Sequence, residues 1–283
     1  LAFNLNLPQE MHRLDDIVKR YNIDCCMHLA AYTAVGESVV NPTKYYKNNV
    51  VMTLQLIDFL NASGIKKFIF SSSAATYGIP EDGVCRDSDK TLMPINPYGK
   101  SKLMIESILQ DYNKAYDFNS ISLRYFNAAG ADPEAEVGEL REKETHIIPL
   151  AIEAARQSKT FKLFGTKYPT EDGTCVRDYV HVMDVAEANI KALNYCRDNK
   201  EFEVFNVGSG VPTSNMEIIN EVQRHLGKIN TEVGEARQEI SYSLADISKA
   251  KEILDWTPTK SSIDKIVASA VKWYNMTHKK EIQ

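Results

Sequence analysis

The sequence is short of cysteine and lacks any long apolar run. Its 283 residues contain five cysteines, an odd number without CxxC spacing, so neither a disulfide framework nor a zinc site is indicated. No apolar stretch approaches the ~18 residues of a membrane span. Residues 1–20 show no signal-peptide pattern. We therefore expect a soluble, cytoplasmic protein in a reducing setting, with no bound metal and no membrane partner.

Blocks of positive charge are also absent. The chain has 33 lysine and arginine residues against 38 aspartate and glutamate residues, which gives a formal net charge of -5 at pH 7. No basic helix or basic cluster provides the electrostatic footprint of nucleic-acid binding. We therefore expect no nucleic-acid partner.

What the sequence does contain is an alternation of short β-branched or aromatic runs with long helical periods. This pattern is typical of a parallel sheet covered by helices, in one large α/β domain or in one with a smaller lobe. The predicted strands are 24–30, 67–72, 121–127, 161–164 and 203–207. The predicted helices are 11–21, 43–62, 98–116, 146–157, 182–196, 216–226 and 263–276.

A loop rich in glycine, proline and acidic residues, 128–144, separates two predicted domains. The first covers residues 1–127. The second covers residues 128–283, with some segments that return to the first.

The run NPYGKSK, residues 96–102, places a tyrosine four residues before a lysine. If Pro97 opens a helix that Asn96 caps, Tyr98 and Lys102 lie one turn apart on one face. A phenol with a pKa near ~10 is a poor base at neutral pH, but a neighbouring cation favours the phenolate and lowers that pKa. This pair alone also fits a surface aromatic beside an unrelated lysine.

A second run, FIFSSSAATYG at residues 68–78, reads as an apolar strand that ends in hydroxyls. Ligands of doubly wound sheets bind at the carboxyl ends of strands, where these serines should lie. Together, SSSAATYG and YGKSK, with Tyr98 25 residues after Ser73, resemble the Ser/Tyr/Lys catalytic set of the extended short-chain dehydrogenase/reductase family. Within that family, the similarity is to sugar-nucleotide 4-epimerases. The resemblance implies Ser73 as the catalytic hydroxyl, Tyr98 as the acid/base and Lys102 as the cation that tunes it.

The resemblance implies a Rossmann-like, doubly wound parallel sheet that binds NAD, followed by a smaller C-terminal α/β lobe that binds the substrate. The implied substrates are UDP-glucose and UDP-galactose. Helices 43–62 and 98–116 resemble those of a four-helix dimer contact, so we also expect a homodimer.

The implied cofactor contacts follow from the runs HLAA (28–31), YYKNNV (45–50) and LRYFNAAG (123–130). Thr33 stands where many epimerases have a lysine. The predicted cofactor-binding residues are Leu29, Ala30, Ala31, Thr33, Asn48, Ser71, Tyr98, Lys102 and Tyr125.

The implied substrate contacts come from the runs LRYFNAAG, FKLFG (161–165), YPTEDGTCVRDYVHV (168–182) and ARQEI (236–240), the last one residue shorter than in the family. Arg177 suits a diphosphate because a guanidinium binds such groups in a planar, bidentate way. A small Ser243 at the sugar pocket leaves room for N-acetylated sugars, and we interpret Asp178 and His181 as structural. The predicted substrate-binding residues are Ser73, Asn127, His146, Phe164, Arg177, Tyr179, Arg237, Glu239 and Ser243.

The glycine-rich turn that binds pyrophosphate in such folds is missing, since the first glycine is Gly36. The chain therefore starts about 50 residues late, the length of one strand-helix unit with its ribose-binding acid. Either it is a piece of a longer protein or the gene product is shortened. We expect poor NAD binding from the chain as it stands, which leaves its activity open.

Several other functions stay open. A nucleotide-sugar 4,6-dehydratase shares the Tyr/Lys pair but needs acidic residues where this chain has Ser72, Ser73 and Ala74. A decarboxylase that forms UDP-xylose would need contacts to a sugar carboxylate. A UDP-N-acetylglucosamine 4-epimerase and a non-catalytic remnant that only binds nucleotide sugars complete the alternatives.

Overall fold

The computed structural model describes residues 8–236 and 240–278. The chain divides into two compact units. Unit 1 contains the chain up to Ile79, Asp87–Tyr125 and Ala188–Asn206. Unit 2 contains Pro80–Arg86, Phe126–Glu187 and the chain from Val207 onward. Among the described residues, no helix combines the length and the apolar character that crossing a bilayer requires.

The strands are short and are distributed over both units. They are β1 (Cys26–His28), β2 (Lys67–Ser73), β3 (Val84–Cys85), β4 (Asn119–Tyr125), β5 (Asn127–Ala129), β6 (Thr160–Phe164), β7 (Val176–His181), β8 (Phe202–Val207), β9 (Pro212–Ser214), β10 (Asn230–Gly234) and β11 (Tyr242–Ala245).

The helices connect these strands. They are α1 (Pro8–Tyr21), α2 (Val35–Val40), α3 (Pro42–Tyr45), α4 (Met52–Ala62), α5 (Pro97–Tyr116), α6 (Ile147–Arg156), α7 (Val182–Asp198), α8 (Asn215–Leu226), α9 (Ser248–Leu254) and α10 (Ile263–Thr277). A π-helical segment, Tyr46–Val51, joins α3 to α4, and a 3-10 turn, Ala74–Thr76, follows β2.

Unit 1 is built on a sheet with the strand order β1-β2-β4-β8 among the described residues. The pairs β1/β2 and β2/β4 are parallel, as expected for strands joined by helical crossovers. Apolar side chains of the sheet and of helices α4 and α5 form its core, which includes Ile57, Phe68, Phe70, Leu109 and Phe118. The predicted α/β class with a parallel sheet is confirmed.

Unit 2 has a sheet with the order β3-β11-β7-β5, to which β9 adds as an antiparallel partner of β7, and a parallel pair, β6 with β10. Helices α6, α8 and α10 supply most of its core, which includes Ile152, Ile218, Ile266 and Val267. Nothing in the sequence signalled that residues 80–86 belong to this unit.

All five predicted strands are present, within two residues at each end, and the first is the most shortened. The predicted helix 43–62 contains the π-helical segment, which the apolar pattern did not reveal. Strand β7 was missed because Arg177, Asp178 and His181 interrupt its apolar run. These polar side chains are held by hydrogen bonds, so the interruption does not prevent burial of the strand.

Asp178 is a fully buried carboxylate that ties three segments of unit 2 together. Its oxygens accept hydrogen bonds from the amide and hydroxyl of Ser209, at 2.5 and 2.8 Å, and from the amides of Gly210 and Ala245, at 2.9 and 3.1 Å. Burial raises the pKa of Asp178, and these donors act in the opposite direction. The contacts favour the structural interpretation of this residue.

Replacing Asp178 by alanine should lower the free energy of unfolding by about 3 kcal/mol, because three backbone amides lose their acceptor. Urea unfolding followed by circular dichroism measures the effect. Asp264→Ala, at an exposed aspartate in the first turn of α10, is the control and should lose less than about 1 kcal/mol. Equal losses in the two variants would contradict the structural role of Asp178.

Candidate active site

Ser73 lies where β2 ends, and the 3-10 turn fixes its position. Its Oγ accepts a hydrogen bond from the amide of Ala75 at 3.2 Å, and its carbonyl accepts one from the hydroxyl of Thr76 at 2.9 Å. In the parallel register of β2 and β4, Ser73 is paired with Tyr125. The serine hydroxyl is therefore held at the carboxyl end of a central strand, as predicted.

Tyr98 lies in the first turn of α5. The side chain of Asn96 caps the helix by accepting a hydrogen bond from the amide of Gly99 at 2.8 Å, and Pro97 occupies the first helical position. A Cβ on Gly99 would lie only 2.3 Å from the carbonyl oxygen of Ala75, so only glycine allows this close approach. The approach brings the helix start against the turn that carries Ser73.

The Ser73 hydroxyl lies near enough to the Tyr98 phenol to influence its pKa. Tyr98 is 9% exposed, and burial raises the pKa of its phenol, while the nearby Ser73 hydroxyl acts to lower it. The expected lowering of this pKa by an ammonium group is not found. The physical reason is that burial disfavours the phenolate and the ammonium is directed elsewhere.

Lys102 follows one turn later and is 4% exposed. Its ammonium donates a 2.6 Å hydrogen bond to the carbonyl of Ser71, and it lies 4.9 Å from the ring centre of Phe70 and 5.9 Å from that of Tyr98. Burial lowers the pKa of Lys102 to about 8. Tyr98 and Lys102 therefore share one helical neighbourhood, but the ammonium binds the strand backbone.

Tyr125 continues the polar chain along the end of the sheet. The hydroxyl of Ser71 donates to the Tyr125 oxygen at 3.1 Å, and the Tyr125 hydroxyl donates to Oδ1 of Asn189 at 3.0 Å. Sequence reasoning missed Asn189, because an isolated asparagine in the middle of α7 carries no local signal. Unit 1 thus brings together Ser71, Tyr125 and Asn189 beside the Ser73, Tyr98 and Lys102 group.

The remaining predicted cofactor residues lie after β1 and in the π-helical segment. Leu29, Ala30 and Thr33 are exposed at the carboxyl end of β1, and Ala31 is half-buried. The side chain of Asn48 donates a 3.0 Å hydrogen bond to Asn49.

The neighbouring Asn49, which the prediction passed over, is buried and bonds both the amide and the carbonyl of Tyr32, at 3.0 and 2.9 Å. These two hydrogen bonds fix the segment after β1, which carries the predicted cofactor contacts. The π-helical segment is the structural signal for this residue, since such segments concentrate at functional sites.

Four predicted substrate residues lie on the larger sheet of unit 2. Arg177 and Ser243 are paired across β7 and β11, and Nη1 of Arg177 donates to the carbonyl of Val176 at 2.9 Å. Asn127 is paired with Tyr179 across β5 and β7, and its amide donates to the carbonyl of Asp178 at 2.8 Å.

Tyr179 itself is only 6% exposed and belongs to the core of unit 2. Packing within unit 2 therefore explains why the Tyr179 ring is buried, and no contact with a ligand is needed to explain it.

The other predicted substrate residues are dispersed. Phe164 is half-buried at the end of β6, beneath the Lys162 ammonium at 5.7 Å from the ring centre. Nδ1 of His146 lies 2.8 Å from Oε1 of Glu139, which the Arg141 guanidinium also contacts at 2.5 Å. The predicted Arg237 and Glu239 lie outside the described residues.

His146, Glu139 and Glu144 place ligand atoms within 4.8 Å of one another, close enough for a metal ion. The guanidinium of Arg141 already neutralises Glu139, however, and occupies the place that a cation would take. This group therefore gives no support for a metal site.

Comparison with known proteins agrees with these observations. Residues 4–208 match the model of the NAD dependent epimerase/dehydratase family. A relative named UDP-glucose 4-epimerase, from Rhizobium meliloti (strain 1021), is 42% identical over 270 residues, which are 94% of this chain and 82% of that protein.

Solved structures give the same result. The UDP-glucose 4-epimerase of Brucella ovis in complex with NAD has a TM-score of 0.90 at 36% identity, over 96% of this chain and 83% of that one. The enzyme of Stenotrophomonas maltophila, with bound NAD and formylated UDP-arabinopyranose, has a TM-score of 0.91 at 30% identity, over 95% and 81%.

Proposed function

The chain belongs to the NAD dependent epimerase/dehydratase family, and we propose that it interconverts UDP-glucose and UDP-galactose by inverting carbon 4 of the sugar. The observation that carries this proposal is the close packing of the start of α5, which carries Tyr98, against the turn that follows Ser73, with the buried ammonium of Lys102 one turn away. The relative from Rhizobium meliloti, similar over 94% of the chain, supports the substrate.

The residues of unit 1 fit NAD as the cofactor. Leu29 and Ala30 expose apolar surface at the carboxyl end of β1, where parallel α/β sheets bind dinucleotides. Lys102 carries three N–H donors, and the acceptor that we find for it among the described residues is the carbonyl of Ser71. An ammonium so placed suits the hydroxyls of a nicotinamide ribose.

In the reaction that we propose, Tyr98 as phenolate removes the proton of the sugar 4-hydroxyl, with Ser73 bridging the two oxygens. When bound, NAD would supply the hydride chemistry by which carbon 4 is oxidised and then reduced. Between these events the 4-keto sugar turns about its bond to the diphosphate. Tyr98 then returns the proton, so the configuration inverts without net oxidation.

This turning requires that the nucleotide is held while the sugar is free to move. We propose that Arg177 binds the diphosphate, since a guanidinium matches its oxygens in a bidentate way. Asn127, paired in the same sheet with Tyr179, would contact a diphosphate oxygen, and Phe164 would stack on uracil. Ser243 is half-buried, and its Oγ lies 3.9 Å from Sγ of Cys85. The small size of its side chain favours space for an N-acetyl group.

The side chains after β2 do not favour a 4,6-dehydratase. Such an enzyme needs acidic residues where this chain has Ser72, Ser73 and Ala74, and the hydroxyl of Ser72 is bonded to Glu106.

Incubation with UDP-galactose and added NAD should give UDP-glucose until both sugars coexist, with resolution by chromatography and proton NMR. A parallel incubation with UDP-N-acetylgalactosamine tests the space beside Ser243. Product with a 4-keto-6-deoxy sugar would contradict the proposal in favour of a dehydratase. Nucleotide binding without any conversion would indicate a binding module instead.

We further propose that the chain works as a homodimer in the cytoplasm. Val51 and Met104, in the two helical segments that resemble a dimer contact, are 49% and 44% exposed. Apolar side chains on neighbouring helices suit burial against a second copy. No disulfide joins the cysteines among the described residues, which fits a reducing compartment.

A further inference from the structure

A buried carboxylate that the proposed reaction does not use lies within unit 1. Glu106, on α5, is 4% exposed. Its Oε1 accepts hydrogen bonds from the Ser72 hydroxyl at 2.5 Å and from Nε of Arg124 at 3.0 Å, and its Oε2 accepts one from Nη2 of Arg124 at 2.7 Å. Arg124 is equally buried, so this is a bidentate ion pair removed from water.

Glu106 and its two partners lie on three elements, β2, β4 and α5, that carry residues of the candidate site. Ser72 lies between Ser71 and Ser73 on β2. Arg124 precedes Tyr125 on β4, and Ser72 and Arg124 are direct partners in the register of these strands. Glu106 itself follows Lys102 by one turn of α5.

The other side of the guanidinium is also occupied. Arg124 lies over the ring of Tyr77 at 4.6 Å, and the Tyr77 hydroxyl donates to Oδ1 of Asn206 at 2.7 Å. Oε1 and Oε2 of Glu106 are thus fixed by groups that are themselves held. Nη1 of Arg124 has no hydrogen-bond partner among the described residues, but the bonds to Glu106 restrain the strands and the helix relative to one another.

Glu106 also affects the charge state of Lys102. The groups that face the ammonium are His28 on β1, the Phe70 ring on β2, and Tyr98 and Glu106 on α5. Burial lowers the pKa of Lys102 to about 8, and the Glu106 carboxylate opposes this lowering.

His28 does not supply a negative charge that would favour the protonated form of Lys102. Burial, together with the Lys102 charge, lowers the pKa of His28 to about 4, so the imidazole is neutral at neutral pH. Glu106 therefore supplies the negative charge that favours the protonated lysine.

We propose that Glu106 is a positioning residue, which holds Ser73 and Tyr98 in mutual register through Ser72 and Arg124 and keeps the Lys102 side chain in its ammonium form. The inference rests on the proposed function, because it assigns Glu106 to the same site. Glu106 acts through these residues and is not itself proposed to contact the sugar.

The test is Glu106→Gln, which keeps the shape of the side chain and removes its charge. The Lys102 titration is followed by NMR of protein labelled in its lysine side chains, with the signal assigned by its loss in Lys102→Met. We expect the Lys102 midpoint to fall by about one pH unit. In the UDP-galactose assay at pH 7, kcat should fall about tenfold with KM within about twofold, since the loss affects chemistry rather than binding.

Leu109→Ala is the matched control, because Leu109 is fully buried on the same helix and its truncation loosens the core without changing any charge. It should leave the Lys102 midpoint unchanged. If Glu106→Gln does not fold, the double variant Glu106→Gln/Arg124→Met removes the unpaired guanidinium. The Lys102 midpoint is then measured in the double variant, where the same fall is expected.

A Lys102 midpoint in these variants equal to that of the unmodified chain would overturn the proposal, whatever the activity. A lowered midpoint in a chain that never interconverts the two UDP-sugars would instead support the link between Glu106 and Lys102 while the proposed function fails.

Discussion

Replacing Tyr98 by phenylalanine should lower kcat for UDP-galactose about 1,000-fold, because general acid/base groups contribute on that order and the substitution removes the phenol near Ser73. The ring stays, so packing in its buried position is preserved. The affinity for UDP should change less than about threefold, since the proposed nucleotide contacts lie in unit 2. Initial rates and calorimetric titration with UDP measure the two quantities.

Tyr112→Phe is the control for this substitution. Tyr112 lies on the same helix, and its hydroxyl bonds Asp58 in an exposed position away from Ser73. This variant should keep the full rate. Retention of most activity by Tyr98→Phe would remove the acid/base role from Tyr98.

The parts of the fold that the sequence predicted well are those in which local and long-range forces agree. Helix α5 has a capping Asn96 and an initial Pro97, and an apolar face that fills the core of unit 1, so its predicted start lies within one residue of the observed one. Strand β2 is apolar in its first half and is buried on both sides, as a central parallel strand requires.

The parts that could not be predicted depend on partners distant in sequence. The polar residues in the sequence of strand β7 do not predict a buried strand. Asp178 can be buried there because it accepts hydrogen bonds from the amides of Ser209, Gly210 and Ala245. Likewise, the sequence around Glu106 is typical of an exposed helical glutamate. In the structure this side chain accepts a hydrogen bond from Arg124, which lies 18 residues later in the chain. Hydrogen bonds of this kind leave no periodicity in the sequence.

The candidate site shows the same limit. The spacing of Tyr98 and Lys102 correctly predicts their common helical neighbourhood. It does not reveal that the ammonium donates to the Ser71 carbonyl, or that burial raises the pKa of Tyr98. Both effects depend on how deeply the start of α5 packs, which Gly99 permits by its close approach to Ala75. The roles of these residues stay predictions that kinetics can decide.

Lys102→Met should abolish turnover and at the same time stabilise the protein. The folded chain lowers the pKa of Lys102 from its ordinary value of 10.5 to about 8, so a buried ammonium is unfavourable there. Below about pH 8 both folded and unfolded chains hold the proton, and the full destabilisation is present. As the pH rises from about 8 toward 10.5, the unfolded chain holds more protons than the folded one, so the stability of the unmodified chain increases.

Methionine removes the buried charge at every pH. At pH 7 Lys102→Met should therefore raise the free energy of unfolding by about 2 kcal/mol, and the gain should disappear toward pH 10.5. Urea unfolding at both pH values measures it, with Lys100→Met as the control, since Lys100 is an exposed lysine of the same helix. In the epimerase assay kcat should fall at least about 100-fold, because the ammonium that we propose for the nicotinamide ribose is lost. An inactive variant that is also less stable at pH 7 would mean that the Ser71 contact outweighs burial of the charge.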